Sequence, residues 1–206
     1  MTIDYSDRKV LRKAPSAEVF LKVMADRNYT VFREGEQSYN LNIVGWRARE
    51  SEPNLFNDLI SVYWQQDTIW RSKSYPATTL PGEPWLLNPM SIHGTAILVP
   101  GQYLRVYTIG FYHGYQALKQ VAPVKVYRDT NGDKFPEKIP GSIETGVFGI
   151  HIHKAGFWSK LVGRSSAGCQ VFQKSEDFED FMDLCTFAAG IWGNTFSYTL
   201  LDEGFP

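Results

Sequence analysis

Residues 59–70 read Leu-Ile-Ser-Val-Tyr-Trp-Gln-Gln-Asp-Thr-Ile-Trp. β-Branched and aromatic side chains dominate the run, and such residues suit a pleated, half-buried surface. The same texture recurs at 38–46 (SYNLNIVGW), 103–112 (YLRVYTIGFY), 123–129 (PVKVYRD) and, briefly, 30–32 (TVF). Gly, Pro, Asn and Asp separate these runs, so Tyr29 to about Phe148 reads as β-rich. The densest break, TTLPGEPWLLNPM at 78–90, is expected to be a long surface loop, with Pro81-Gly82 at the centre of a type II turn. Helices frame the strands. Ser16 is placed to cap one that runs to about Asn28, with Phe20, Val23 and Met24 on one face. After Ser175, Phe178, Phe181, Met182 and Cys185 recur at helical spacing, acidic residues fill the first turn, and Gly190 is expected to end the helix. TFSYTLL at 195–201 reads as a closing strand. The expectation is one β-rich α+β domain over 15–206, with a sandwich-like or curled mixed sheet, two or three flanking helices and a loose arm at 1–14.

Composition narrows the function classes. The chain has 206 residues, 43% hydrophobic and 15% aromatic, which is enough to bury a sizeable core and too aromatic for general disorder. With 21 Lys+Arg against 22 Asp+Glu, it lacks the basic excess on which general nucleic-acid affinity rests, so no nucleic-acid partner is expected. No run of 18 apolar residues exists, so no membrane span is expected. The first 20 residues carry no apolar h-region, and no signal peptide is expected. Two cysteines make no disulfide framework. Cys185, on the apolar stripe of the second helix, reads as core packing.

Chemistry concentrates at 146–173, GVFGIHIHKAGFWSKLVGRSSAGCQVFQ. GVFGIHIH alternates as a strand, with Phe148, Ile150 and Ile152 toward the core and Val147, Gly149, His151 and His153 opposite. The two imidazoles then share one face, roughly 6–7 Å apart. Cys169 follows Ser165-Ser166-Ala167-Gly168, small residues that let the backbone turn and present its N–H groups near the sulfur. A thiolate needs a base or cation beside it, and a strand His meeting the turn Cys across a hairpin-like return would supply both. A structural cysteine beside two satisfied histidines is the competing reading of the same spacing. A zinc set of His151, His153 and Cys169 lacks a CxxC pair and an acidic partner, so no metal is expected.

The segment resembles the catalytic signature of the L,D-transpeptidase (YkuD-like) family. Ile152-His153 is similar to the family's Ile-His step, and Ser166-Ala167-Gly168-Cys169 to its Ser-x-Gly-Cys turn. Twelve residues separate His153 from Ser166, and fourteen separate His151 from it. A strand and a helix follow the family's cysteine, as QVFQKSEDFEDFMDL would provide here. Ile-His-Lys-Ala-Gly and Ser-Ala-Gly-Cys-Gln also resemble wording in bacteriophage and bacterial sequences, a divergent branch of the family. The resemblance implies a cysteine enzyme that attacks the carbonyl of an L-centre followed by a D-residue in peptidoglycan stem peptides, and passes the acyl group to an amine or to water. It implies Cys169 as nucleophile, His153 as base, the Gly168 and Cys169 N–H groups as oxyanion site, and Ser166 as shaper of the turn. His151 would orient His153, bind substrate or itself be the base. Arg164, two residues before Ser166, is a supporting candidate. Ala167 stands where many members carry His or Lys, and Gln170-Val171 where many carry Ile-Arg. No cofactor is implied. Without a signal sequence the enzyme would be made in the cytoplasm and reach the cell wall by release or delivery, as a phage lysin or virion component. The rival reading is a non-catalytic virion part that retains the fold and binds other virion proteins; a third is a cysteine hydrolase acting on another amide.

Other candidates read as structural. Ile92-His93-Gly94-Thr95 is close to the family's His motif but has no Ser-x-Gly-Cys within 70 residues. His113, before Gly114, is a turn histidine or part of a cleft wall. Asp129, Asn131 and Asp133 fit the start of a calcium loop, but Lys134 replaces its Gly and Pro140 its Glu, so Asn131-Gly132 is expected to form a hairpin turn. Trp158, five residues after His153, lines a cleft or packs in the core.

Overall fold

The computed structural model describes residues 14–35, 37–48, 54–156 and 159–202. The proposed arm at 1–14 falls almost wholly outside these, and so does Trp158. In chain order the elements are α1 (Ala17–Asp26), β1 (Asn42–Arg47), β2 (Asp58–Gln66), β3 (Ile69–Thr78), α2 (Glu83–Leu87), β4 (Thr95–Leu98), β5 (Gly101–Tyr112), β6 (Tyr115–Gln120), β7 (Val124–Asp129), β8 (Glu144–Gly146), β9 (Ile152–Lys154), β10 (Gln170–Phe172), α3 (Ser175–Trp192) and β11 (Phe196–Asp202).

The sheet does not form a sandwich. Eight strands close into a barrel in the order β1-β11-β5-β6-β9-β10-β3-β2, and β4, β7 and β8 form a separate three-stranded sheet. Closure removes the exposed edges that a curled sheet would leave. Two of its hairpins turn on two residues with positive φ, Asp67-Thr68 (53° and 64°) and His113-Gly114 (46° and 87°). Turns of that hand match the twist of the strands they join. The barrel closes where β1 lies parallel to β11, Ile43 beside Tyr198 and Arg47 beside Asp202.

Alternation along the strands divides the apolar residues between two clusters. Ile43, Ile60, Val62, Tyr107, Tyr198 and Leu200 belong to the main core. Val44, Trp46, Leu59, Tyr63 and Leu201 belong to a second cluster with Phe20 and Met24 of α1. Ser16 caps α1 as expected, its hydroxyl accepting from the Val19 N–H at 3.3 Å, and the Phe20 ring stacks on Tyr63 at 4.3 Å. The main core runs from Phe178, Phe181, Met182 and Cys185 of α3 to Ala96, Leu98, Val124 and Val126 of the small sheet. Cys185 is fully buried there, as its helical position requires.

Several local expectations are corrected. TVF at 30–32 forms no strand. Helix α3 runs through Gly190 and stops at Gly193, whose φ of 86° a side chain would resist. Asn131-Gly132 joins no hairpin: β7 ends at Asp129 and β8 begins at Glu144, and Asx turns from Asp129, Asn131 and Asp133 shape the start of the long connection. The break at 78–90 is no surface loop over its first part. Thr78, Thr79 and Leu80 are buried, and Gly82 has φ −76° instead of the positive φ of a type II turn.

A buried polar network explains that loop. Arg47, at the end of β1, donates from Nε to Thr79 Oγ1 at 2.9 Å and from Nη2 to the Thr79 and Leu98 carbonyls at 2.9 and 3.1 Å. Asp58 accepts from the Thr79 N–H and hydroxyl, both at 2.7 Å, and from the Ala48 N–H at 2.8 Å. Two buried charges thus find partners through one threonine, the condition for holding them away from water. The loop pinned in this way carries Gly82, whose N–H donates to the Ser166 carbonyl at 2.9 Å. The barrel end therefore sets the position of the turn before Cys169. Among the described residues no helix is long and apolar enough to cross a membrane.

Candidate active site

The GVFGIHIH run is not one strand. Gly149, at φ 75°, breaks it, leaving β8 in the small sheet and β9 in the barrel wall. Ile150 and Ile152 are buried in the main core. The return to Cys169 is no hairpin either. After fifteen intervening residues, β10 lies parallel to β9, with Gln170 beside Ile152 and Val171 beside His153. Parallel neighbours in register point the same way, so His153 shares its face with Val171, and Cys169 lies two residues before Val171 on that face.

The turn at 166–169 is held from within. Ser166 is fully buried; its hydroxyl donates to the Cys169 carbonyl at 2.8 Å and accepts from the Gly168 N–H at 3.2 Å. The Gly168 N–H is thus engaged inside the turn, not held out as the oxyanion donor expected of it. Gly168 has φ 125°, and a Cβ there would strike the Ala96 carbonyl of β4. Gln170, in the place where the resembled family carries an apolar residue, points inward: its Nε2 donates to the Gly168 carbonyl at 3.2 Å and its Oε1 accepts from the buried Tyr198 hydroxyl at 2.9 Å.

Cys169 is only 9% exposed. Its Sγ accepts from the His151 N–H at 3.4 Å and donates to the Gly149 carbonyl at 3.3 Å. Burial pushes the thiol up to about 11, outweighing the His151 N–H that favours the thiolate. The resting sulfur is therefore a neutral thiol, not the exposed low-pKa thiolate of a primed nucleophile.

The two histidines have different duties. His151 Nδ1 accepts from the Gln120 N–H at 3.0 Å, so its lone pair is already occupied. Burial foremost, then the neighbouring His153, Lys119 and His113, lower its pKa to about 4. His153 is 4% exposed, and its Nδ1 lies 2.9 Å from the Lys154 carbonyl. A carbonyl only accepts, so the proton sits on Nδ1 and Nε2 keeps a bare lone pair. That Nε2 has no hydrogen-bond partner among the described residues. Burial also lowers the His153 pKa, against the Lys154 hydrogen bond that raises it. The segment thus holds one imidazole nitrogen without a hydrogen-bond partner among the described residues and one buried neutral thiol.

Two participants escaped the sequence reading. Tyr112 packs against His151 at 5.0 Å, His153 at 4.8 Å and His113 at 4.3 Å. Gln120 clamps the histidine segment: besides its N–H to His151, its Oε1 accepts from the Phe148 and Ile150 N–H groups at 3.1 and 2.9 Å. Tyr112 had a signal, since His113-Gly114 between aromatic runs is a two-residue turn that sets Tyr112 opposite Tyr115. Gln120 had none. His113 is exposed at the hairpin tip. Arg164 is exposed in the short turn Gly163–Ser165, its guanidinium over Trp85 at 5.5 Å and its carbonyl accepting from Trp85 Nε1 at 3.2 Å. His93 is exposed and lies 3.5 Å from Glu144. No group of three His, Cys, Asp or Glu side chains among the described residues is arranged to hold a metal ion.

The buried imidazoles make stability depend on pH. His151 titrates near 4 when folded and near its ordinary 6.5 when unfolded, so the unfolded chain takes up protons first and folding weakens as pH falls through that window. Moving from pH 7 to 4.5 is expected to cost about 1–2 kcal/mol from this half-buried, partly solvent-screened group. His151→Asn, whose Oδ1 can accept from Gln120 without titrating, should flatten the dependence. Urea unfolding of both proteins at the two pH values measures it.

Family models, curated proteins and solved structures were each compared with this chain, and none matches.

Proposed function

We propose that this protein is a cysteine acyl-transfer enzyme of L,D-transpeptidase type, acting on peptidoglycan stem peptides by transpeptidation or hydrolysis. The observation that carries the reading is the tautomer of His153, whose Nδ1–H is fixed on the Lys154 carbonyl while a bare Nε2 lies buried on the face that also carries Cys169. The order of parts also supports it: Cys169 leaves a Ser166-held turn and is followed by β10 and α3, as in the family the segment resembles.

Both reacting groups rest neutral, so the step is general-base catalysis rather than attack by a stored ion pair. The thiol releases the Gly149 carbonyl, and His153 Nε2 takes its proton as sulfur bonds to the acyl carbon. The imidazolium returns that proton to the departing amine as the C–N bond breaks. Water or a second amine then attacks the thioester: His153 accepts its proton, the C–S bond breaks, and the imidazolium returns the proton to the departing Cys169 sulfur, restoring the neutral pair. The His151 N–H, which donates to the resting sulfur, would serve as a donor to the developing oxyanion. On this reading the chain reaches the cell wall by release or delivery, as for a phage lysin or virion component.

One observation favours a different reading. The closed, protonated state of Cys169 suits a virion part that keeps the fold without turnover. Incubation with purified peptidoglycan, followed by mass analysis of the fragments, separates the two. Cleaved or exchanged L,D bonds are expected with the native chain and not with Cys169→Ala. Identical fragments from both proteins would remove the enzymatic reading.

A further inference from the structure

Tyr112 is the last residue of β5 and precedes the His113-Gly114 turn. Its ring stands edge-on to His151 (69°) and tilted (37°) against His153, and His113 also meets it edge-on (74°). Its own ring is half-buried, whereas the His153 behind it is 4% exposed. The neighbouring Tyr115 directs its hydroxyl to the Lys154 carbonyl at 3.5 Å, the same oxygen that fixes His153 Nδ1. Tyr112 and His113 of the hairpin and His151 and Lys154 of its own segment surround His153, and Lys154 is in turn held by Tyr115 and by Glu179 of α3, with Lys119 of β6 close to His151. None of the hairpin groups bonds to Nε2, which has no hydrogen-bond partner among the described residues.

We propose that Tyr112 is the positioning residue of the base: its ring face holds the His153 imidazole in the plane set by the Lys154 carbonyl and keeps water from Nε2 and from the Cys169 sulfur. The role belongs to the ring. Its hydroxyl lies close enough to feel the Cys169 sulfur but makes no hydrogen bond to His153 among the described residues, so phenylalanine should replace it. Coverage by this ring also accounts for part of the desolvation that depresses His153. The proposal rests on the reading of Cys169 and His153 as the reacting pair, but its test needs no substrate.

The test compares Tyr112→Ala, Tyr112→Leu and Tyr112→Phe with the native chain. Two quantities are read: the His153 titration, from its imidazole proton resonances, and the rate of Cys169 alkylation by iodoacetamide across pH. Opening the cover is expected to raise the His153 pKa by about half a unit or more toward its ordinary value. It should also speed Cys169 alkylation about tenfold in the Ala and Leu variants, with Phe within about twofold of native. Cys185, fully buried under α3, serves as the internal control for global loosening. If the Ala variant exposes Cys185, the Leu variant, which keeps the apolar volume but not the ring face, decides. Ala and Leu variants that leave both readouts unchanged would overturn the proposal, and so would a Phe variant that behaves like Ala. Absence of peptidoglycan turnover in the native chain would sink the enzymatic reading while leaving these readouts intact. Unchanged readouts beside normal turnover would sink this proposal alone.

Discussion

His153→Ala is expected to lower turnover of peptidoglycan stem peptides by about 10²–10⁴-fold, the usual contribution of a positioned general base. Its Nε2 is the one imidazole nitrogen of the segment that is buried, bare and on the Cys169 face. His151 cannot take over, because its Nδ1 is held by the Gln120 N–H and its part at the sulfur is played by backbone. His151→Asn keeps that backbone and should lose much less. The pH profile adds a second check. The His153 pKa lies below the ordinary imidazole value, so the native rate should hold steady on acidification past that value before it falls. An Asn variant at 151 that is as inactive as Ala at 153 would move the base two residues upstream.

Gly168→Ala should be the most damaging small substitution for the fold of the site. The φ of 125° lies outside the range that L side chains adopt, and the new methyl would meet the Ala96 carbonyl and, at 3.0 Å, Ile150 Cδ1. A strained backbone and an overpacked contact together are expected to cost roughly 2–5 kcal/mol. Neither neighbour can yield easily: Ala96 is paired with Arg128 in the small sheet, and Ile150 is in the core. Gly190→Ala is the matching control, since nothing lies within 4 Å of a Cβ there. A helical alanine should stabilise by up to about 1 kcal/mol. Equilibrium denaturation of the two variants should move in opposite directions; a Gly168→Ala protein as stable as native would mean that the turn is not fixed as described.

What was legible in the sequence was local. Ser16 announces its own helix, the Phe178–Cys185 stripe announces α3, and the aromatic and β-branched runs announce β1, β2, β5 and β7, whereas β3 was legible only at Ile69-Trp70. Each rests on neighbours within a few residues. The barrel was not legible, because closure depends on pairs such as Gly45 with Leu200, and nothing near either residue names the other. The buried loop after β3 was misread for the same reason: Thr79 looks like loop polarity until Arg47 and Asp58, 32 and 21 residues away, are brought to it. At the site, the motif singled out Cys169, Ser166, His151 and His153, and the structure places them around one parallel strand pair. The closed state of the thiol depends on Gly149 and on burial, which no motif encodes.

The seam between β1 and β11 also sets an order of events in time. Ile43 and Tyr198 are 155 positions apart, and their strands run parallel, so no tight turn can bring them together. Hairpins β2–β3 and β5–β6 can form within their own short stretches, on microsecond scales. The seam has to wait for almost every other element, and during synthesis β1 leaves the ribosome long before its partner exists. Until β11 arrives, β1 has β2 on one side and an open row of backbone groups on the other, the kind of edge that recruits a second chain. Refolding is therefore expected to be slow for a protein of this size and sensitive to concentration, with its rate governed by long-range closure rather than by helix formation.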